Sequence, residues 1–377
     1  MNPRTSESGA HHPDSGTFGD LGRDVAALAG IVRDSAGAGE RAAARWVAGR
    51  LRQAGVEEEG VALEPYRWPR TYAYAHALHL LAAAGPRWLS TLALASYELE
   101  SSGRLQWLPR LLPRGQGCNV VARIPGRGGS RRTFVLIAHL DAQRSGVLWS
   151  RALVEAGAKR RLASRSMAPA GASAALALAL GSRRLGLLGA LAMLDTATSP
   201  TVPGANDNAS GVAALLELAR RFAADPLDGT EVLLVFPGAE EAGMGGMRAF
   251  LAAHRLDPAT TFVLGLDTIG SGVPVVARAE GSVLPHAYRD ADLALVDDGA
   301  ARAGVEPPPR WRIAAWTDPI LARFAGLPAA SLLSVSPQTG MYTRYHRMDD
   351  LPEHVDLACV ERCVQIAEGT ARAYSER

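Results

Sequence analysis

Short apolar runs alternate with amphipathic segments along most of the chain. Residues 133–138, 232–236 and 262–266 are apolar and rich in β-forming side chains, which is typical of strands buried on both faces of a sheet. Residues 211–223 place their apolar side chains at helical spacing. This alternation predicts an α/β fold whose mostly parallel, mixed sheet is covered by helices on both faces. Further predicted elements are helices at 21–54, broken near Gly37 and Gly39, and at 355–374, and strands at 60–68 and 119–124.

Two stretches depart from this pattern. Residues 72–97 and 172–194 each contain two apolar arms separated by a turn with Gly and Arg. Each arm is much shorter than the roughly 20 residues that a membrane-spanning helix needs. We therefore predict two inserted helical hairpins, within about 72–110 and 148–200, that pack together as a soluble layer. The predicted contact between them comprises Leu78, Leu80, Leu92, Leu176, Leu187 and Leu191.

A basic cluster near the second hairpin keeps a different role for the insertions open. Lys159, Arg160, Arg161 and Arg165 precede its first apolar arm. Basic residues beside apolar helices are typical of segments that lie on a membrane surface. Contact with a membrane surface or with a second subunit is therefore the alternative to a packed layer.

The composition places the chain among soluble globular proteins. Hydrophobic residues make up 47% of its 377 residues and charged residues 21%, which allows a sizeable core. The net charge of +2 gives no support for a nucleic-acid partner. Three cysteines, an odd and low number, argue against a disulfide framework.

The first 20 residues are polar and lack the apolar segment of a secretory signal. We predict a disordered leader over residues 1–20 and one domain over 21–377 that contains both insertions. The expected location is the cytoplasm, and peripheral attachment to the inner membrane through the insertions is the alternative.

Three of the apolar strands lead directly into imidazole or carboxylate side chains. His139 and Asp141 follow the first strand, Glu240 and Glu241 the second, and Asp267 the third. In open α/β sheets, ligands bind in the crevice beyond the carboxyl ends of the strands. We therefore expect these side chains to form a common site.

Two loops add further polar side chains. Asp207 lies in the polar loop 204–211, which opens a predicted helix, and His346 follows the apolar segment 330–335. Taken singly, a capping aspartate and a surface histidine would explain both. Together with the strand-end residues they form the set that a hydrolytic dinuclear zinc site needs, because imidazole suits zinc and a carboxylate can bridge two ions. One more carboxylate must stay off the metal to move protons.

In this order the segments resemble the zinc-dependent co-catalytic aminopeptidase family. That family includes bacterial leucyl aminopeptidases, aminopeptidase Y-like enzymes, glutamate carboxypeptidases and glutaminyl cyclases. The resemblance covers about residues 21–70, 118–146 and 201–376 and implies the zinc exopeptidase fold. The blocks that carry it are Ala138-His139-Leu140-Asp141, Gly204 to Gly211, Gly238 to Gly243, Leu266 to Gly270, and Tyr345-His346.

The resemblance implies two Zn²⁺ ions and a residue for each ligand position. His139 and Asp267 would hold one ion. Glu241 and His346 would hold the other, and Asp207 would bridge the two.

The resemblance also implies roles for residues beside the ligands. Glu240 would be the general base, and Asp141 would orient the first histidine through a hydrogen bond. Asp350 would act likewise on the second histidine. Tyr345, or else Tyr342, would contact the substrate near the oxyanion, although a packing role is an equal alternative.

The implied function is that of a zinc-dependent exopeptidase acting on peptides. We expect an aminopeptidase that removes N-terminal residues through a metal-bridging hydroxide. A carboxypeptidase, a cyclase, and a non-catalytic or membrane-associated binding module on the same fold are the alternatives. All five ligand positions and the general base are filled, which favours peptide hydrolysis. The insertion at 148–200 separates His139 from Asp207, and both insertions are expected to alter access to the site.

Overall fold

The computed structural model describes residues 19–159 and 181–377. The predicted leader therefore lies almost wholly outside the described residues. The first arm of the second hairpin and the arginines of the basic cluster lie outside them as well.

The described residues form helices and strands in the alternating order that the sequence predicts. The helices are α1 (Gly19–Ala29), α2 (Ala38–Gln53), α3 (Ala73–Ala83), α4 (Arg87–Ser101), α5 (Arg151–Lys159), α6 (Arg183–Thr198), α7 (Ser210–Ala224), α8 (Gly245–Ala253), α9 (Asp290–Arg302), α10 (Pro319–Phe324) and α11 (Leu357–Ser375). The strands are β1 (Val61–Pro69), β2 (Arg114–Ile124), β3 (Arg127–Ile137), β4 (Asp228–Phe236), β5 (Thr261–Leu266), β6 (Val273–Glu280), β7 (His286–Ala287), β8 (Arg310–Ile313) and β9 (Ala329–Val335). The elements from β6 to α10, and the helices α5 and α8, were not predicted from the sequence.

The strands of the described residues form one mixed sheet with the order β1-β2-β4-β3-β5-β9-β6-β7, and β8 pairs with β6. The four adjacent strands β4, β3, β5 and β9 are mutually parallel. The neighbouring pairs β2–β4 and β9–β6 are antiparallel. The predicted fold class, an α/β fold with a mostly parallel, mixed sheet, is confirmed, and the parallel pairs lie mainly in the centre of the sheet.

Helices cover both faces of this sheet. Every residue of β5 and β9 is buried, as expected for strands with no solvent-facing side. Helix α7 contacts α1, α2 and α11, and α11 also contacts α9. Helices α8 and α10 contact one another and strands β1, β2, β5 and β9.

Helices α3, α4 and α6 form a separate layer beside the sheet, called here the helical layer. Helix α3 lies in the middle and contacts both α4 and α6. The layer has a small core of its own, which consists mainly of Ala73, Ala77, Leu80, Ala83, Ala93, Tyr97, Trp149, Ala190, Met193 and Ala197. The described arm of the second insertion thus packs on the first insertion, as the sequence analysis expected.

The predicted leucine contact within the layer is wrong in most of its members. Only Leu80 is buried, whereas Leu78, Leu92, Leu187 and Leu191 are exposed, and Leu176 lies outside the described residues. The helices instead meet through small side chains. A Cβ atom on Gly186 would lie only 2.7 Å from the carbonyl oxygen of Leu80, so the two backbones approach more closely than leucines would allow. The larger side chains therefore point away from the contact.

No helix within residues 19–159 and 181–377 combines the length and the apolar character needed to cross a membrane.

The close approach of α3 and α6 predicts a stability change on adding one methyl group. We expect Gly186→Ala to lower the free energy of unfolding by about 1–3 kcal/mol relative to Gly49→Ala, because the new Cβ would overlap the Leu80 carbonyl. Gly49 is the matched control, since it is also helical and its Cβ would meet no atom within 4 Å. Urea unfolding of both variants measures the difference. Equal stability of the two variants would show that the helices do not pack in this way.

Candidate metal centre

Three neighbouring strands end at one edge of the sheet, and the residues that follow them lie at that edge. Ile137 of β3 lies opposite Val235 of β4 and Gly265 of β5, so the three parallel strands end nearly level. The side chains that follow are His139 after β3, Glu240 and Glu241 after β4, and Asp267 after β5. The structure therefore brings the strand-end residues together as the sequence analysis expected.

Asp207 lies between the two histidines. The turn Ala205–Ala209 precedes α7 and buries the Asp207 side chain. Its Oδ1 lies 3.2 Å from Nε2 of His139, and its Oδ2 lies 3.1 Å from Nε2 of His346. The same His139 nitrogen is 3.9 Å from Oδ1 of Asp267, and the same His346 nitrogen is 3.3 Å from Oε2 of Glu241. One carboxylate thus joins two groups of three possible ligands.

These groups fit metal ions. Ligand atoms of His139, Asp207 and Asp267 lie within 4.8 Å of one another, and so do those of Asp207, Glu241 and His346. Two ligand atoms at the usual zinc distance of about 2.1 Å in a tetrahedron lie about 3.4 Å apart, which is close to the observed separations. A third possible group joins His139 with Glu240 and Glu241.

Several buried atoms of the site have no hydrogen-bond partner among the described residues. They are Oδ2 of Asp207, Oε1 of Glu241 and both ring nitrogens of His346. The close approach of His346 to the carboxylates therefore lacks hydrogen-bond geometry. Buried polar atoms are rarely left unpaired in folded proteins, and a cation at this position would satisfy them.

Burial and close charges shift the pKa values of these groups. Burial alone would lower the pKa of His139, but its bonds with Asp141, Asp207 and Asp267 raise that pKa well above its usual range. Burial likewise opposes the effect of Glu241 and Asp207, which raise the pKa of His346 to about 9. Without a cation the imidazoles would therefore hold protons that a bound metal displaces.

Asp141 supports both the first histidine and the glutamates. Its Oδ2 accepts hydrogen bonds from Ser35 Oγ (2.6 Å) and the Glu241 backbone N–H (3.2 Å), and its Oδ1 accepts one from the Glu240 N–H (3.0 Å). Nδ1 of His139 lies 3.2 Å from the Asp141 carbonyl oxygen and 3.6 Å from its Oδ1. Asp141 thus fixes the Glu240–Glu241 backbone as well as approaching the imidazole.

Asp350 differs from the sequence-based expectation. Its carboxylate accepts hydrogen bonds from the backbone N–H groups of Asn206 (2.9 Å) and Asp207 (3.1 Å), not from His346. Nδ1 of His346 has no hydrogen-bond partner within the described ranges. Asp350 therefore fixes the loop that carries Asp207 and does not orient His346.

Left-handed backbone conformations occur at or next to several of these side chains. Ala239, Thr268 and His346 have φ values of 48°, 53° and 56°, although none is a glycine. Such conformations cost free energy and persist only where neighbouring contacts fix them. Glu40 supplies one such contact, because its buried carboxylate accepts a 2.9 Å hydrogen bond from the Ala239 N–H. The same carboxylate also accepts bonds from the Ala36 and Cys118 N–H groups and the Tyr66 hydroxyl.

Arg33 provides a buried positive charge behind the site. Its guanidinium donates hydrogen bonds to the carbonyl oxygens of Leu140 (2.8 Å), Pro203 (3.1 Å) and Gly204 (2.7 Å). These bonds join the segment after His139 to the loop before Asp207. Burial lowers the pKa of Arg33 to about 10, against the raising effect of nearby carboxylates, so the group keeps its charge at neutral pH.

A cavity of about 140 Å³ that opens to solvent adjoins the site. Glu240, which is half-buried, Glu241 and His346 line one part of it. The helical layer lines another part through Tyr72, His76, Tyr97 and Met193. The ring of Tyr345 stacks on His346 with centroids 3.6 Å apart, and Trp149 packs edge-on against His346 at 4.3 Å.

Sequence reasoning missed several residues that the structure places around the site. They are Ser35, Glu40, Arg33, Gln143, Trp149 and Asp318. Gln143 donates a 2.8 Å hydrogen bond to Oε2 of Glu241. Asp318 is buried, and neither carboxylate oxygen has a hydrogen-bond partner in the described part of the chain. Burial raises the pKa of Asp318 well above its usual range, although His139 opposes that shift. Their contacts with the site leave no local pattern in the sequence that would have identified them.

The sequence of residues 188–371 matches peptidase family M28. The matched region contains Asp207, Glu240, Glu241, Asp267 and His346, while His139 precedes it. The match covers just under half of the chain, so this part of the chain resembles peptidase family M28. The predicted resemblance to the co-catalytic zinc peptidases is therefore confirmed.

Solved structures of similar fold include both peptidases and cyclases. A glutaminyl cyclase from Bacteroides thetaiotaomicron has 16% sequence identity and a TM-score of 0.58, with 94% of this chain and 97% of that chain covered. A zinc aminopeptidase from Bacillus subtilis has 14% identity and a TM-score of 0.58, with 93% of each chain covered. A glutaminyl cyclase from an Acidobacteriales bacterium has 13% identity and a TM-score of 0.60, with 99% of this chain and 100% of that chain covered. No curated protein matches the chain in sequence.

The M28 match and the fold together support a zinc-dependent exopeptidase. The donor set agrees with this assignment, since imidazole and carboxylate groups are the ligands of hydrolytic zinc sites.

The position of Arg33 predicts a stability effect that does not depend on metal. We expect Arg33→Met to lower the free energy of unfolding of the metal-free protein by about 3–5 kcal/mol, because it leaves buried carboxylates and carbonyls without their cation. Arg45→Met is the control, since Arg45 is exposed on α2, and its effect should stay within about 0.5 kcal/mol. Denaturant unfolding of chelator-treated protein gives both values. Similar stability of the two variants would contradict the role given to Arg33.

Proposed function

We propose that the protein is a dinuclear zinc aminopeptidase that removes N-terminal residues from peptides. The observation that carries the proposal is the position of Asp207, whose two oxygens face different histidines at 3.2 and 3.1 Å. That arrangement is the one expected of a carboxylate that bridges two ions. Residues 21–377 would form the single catalytic domain, with the two insertions inside it.

The residues divide into two sets around the shared carboxylate. His139 and Asp267 would hold one zinc ion, Glu241 and His346 the other, and Asp207 would contribute to both. When bound, the ions would polarise the scissile carbonyl and lower the pKa of water at the site. Ser35, Gln143 and Asp350 keep the carboxylates in position through the hydrogen bonds described above.

Glu240 is the proposed general base. Its backbone is fixed by Asp141, and its side chain lines the cavity next to a proposed ligand. A carboxylate in that position can take a proton from attacking water and pass it to the leaving amine. Residues of the helical layer line another part of the same cavity.

The charges around the cavity favour an aminopeptidase over a carboxypeptidase. Glu240 and Glu241 line it, together with Glu100 of α4, whereas no arginine or lysine among the described residues does so. A carboxypeptidase needs a cation or a group of donors for the C-terminal carboxylate of its substrate. Glu100, which is neither a proposed zinc ligand nor the proposed base, instead suits the positively charged amino group of a peptide N-terminus.

The proposal predicts that Glu240→Gln separates metal binding from activity. We expect the variant to retain two zinc ions per chain and to lose about 10²–10⁴-fold in kcat, because an amide cannot accept the proton. Metal analysis and the hydrolysis of a panel of aminoacyl p-nitroanilides measure the two properties. Glu59→Gln, an exposed glutamate far from the cavity, is the control and should keep both.

Three outcomes would overturn parts of the proposal. Near-normal turnover by zinc-loaded Glu240→Gln would remove Glu240 from the mechanism. Hydrolysis of substrates that have a blocked N-terminus and a free C-terminus, without hydrolysis of aminoacyl substrates, would identify a carboxypeptidase. Cyclisation of N-terminal glutaminyl peptides without hydrolysis would identify a cyclase.

A further inference from the structure

The outer face of the helical layer is unusually apolar. Each of its three helices exposes large apolar side chains at helical spacing on the side away from the cavity. They are Tyr74, Leu78 and Leu81 on α3, Trp88, Leu92 and Leu99 on α4, and Leu187, Leu188, Leu191 and Leu194 on α6. Four of these side chains, Trp88, Leu92, Leu188 and Leu191, are 60–65% exposed.

This face differs from the scattered apolar residues that every soluble protein exposes. Single exposed leucines need no explanation, but a contiguous apolar surface marks an interaction site. The opposite sides of the same helices line the cavity through residues such as His76, Tyr97 and Met193. The outer side chains therefore do not line the cavity, and within the described residues they do not belong to the core of the layer.

Basic side chains border the apolar face at one end. The exposed Arg183 and Arg184 begin α6, and the exposed Arg87 begins α4. These helix starts lie near the end of α3, since a Cβ on Gly186 would be 3.2 Å from the Ala84 nitrogen.

Acidic side chains are nearly absent from the same face. Asp195 is the single acidic residue among the exposed residues of α3, α4 and α6, and it lies toward the other end of α6. The two glutamates of α4, Glu98 and Glu100, are buried on its inner side. The face therefore carries an excess of positive charge.

We propose that this face docks the protein on an anionic lipid bilayer. The apolar side chains would enter the boundary between headgroups and acyl chains, and Trp88 would lie at the interface that tryptophan favours. Arg87, Arg183 and Arg184 would contact the acidic headgroups. The helices have 11, 15 and 16 residues, so they lie on the bilayer and do not cross it.

The charge argues for a bilayer over a second copy of this chain. A second copy would bring the same three arginines and a single aspartate to the contact, whereas anionic headgroups supply the opposite charge. Docking would place the helices that line the cavity next to the lipid surface, because the apolar face and the cavity lining belong to the same helices.

Cosedimentation of the full chain with lipid vesicles tests the proposal. We expect binding to vesicles that contain phosphatidylglycerol and at least fivefold weaker binding to pure phosphatidylcholine vesicles. Binding should weaken at 0.5 M salt, because salt screens the arginines. Replacing Arg183 and Arg184 by serine should weaken binding to the anionic vesicles about fivefold for each arginine.

A second pair of variants tests the apolar part of the face. Leu188→Glu combined with Leu191→Glu should abolish sedimentation with vesicles, since both side chains would carry charge into the bilayer. Val32→Glu is the matched control, because Val32 is equally exposed but lies outside the helical layer, and it should bind as the unchanged protein does. Circular dichroism should show the same helix content in all variants.

Failure of the unchanged protein to bind anionic vesicles would overturn the proposal. Analytical ultracentrifugation then tests whether a second copy of the chain covers the face. A dimer that Leu188→Glu and Leu191→Glu dissociate would show that a second copy covers it, and a monomer would exclude a second copy. Equal binding by the Leu188/Leu191 double variant and the Val32→Glu control would also overturn it.

Discussion

The structure depends on the burial of several carboxylates at one edge of the sheet. Asp141, Asp207, Glu241 and Asp350 are all buried there, and like charges taken out of water cost several kcal/mol each unless cations or donors compensate them. Backbone N–H groups compensate Asp141 and Asp350, and the guanidinium of Arg33 contributes a buried positive charge. Oδ2 of Asp207 and Oε1 of Glu241 have no hydrogen-bond partner among the described residues, and metal ions would complete the compensation.

The sequence indicates the ligands but not the groups that hold them. His139, Glu241 and Asp267 could be predicted because apolar strands end directly before them, and parallel strands end at a common edge. Arg33 lies in an ordinary turn, and its acceptors at Leu140 and Gly204 are 107 and 171 positions away. Contacts over such separations leave no local periodicity, so only the folded chain reveals them.

For the helical layer too, the helices could be predicted from the sequence but the contacts between them could not. Apolar arms with a turn between them predicted the hairpin of α3 and α4, and its helices begin and end close to the expected residues. Hydrophobicity alone also predicted that leucines would fill the contact, which was wrong because Ala77, Ala190 and Gly186 allow closer packing of the backbones. The layer has one side that lines the cavity and one that is exposed.

The central claim is that Asp207 bridges two metal ions. Anomalous diffraction at the zinc absorption edge from crystals of the zinc-loaded protein tests it directly. The account predicts two peaks about 3.5–4 Å apart, one on each side of the Asp207 carboxylate. A single peak, or two peaks that do not both contact Asp207, would contradict it.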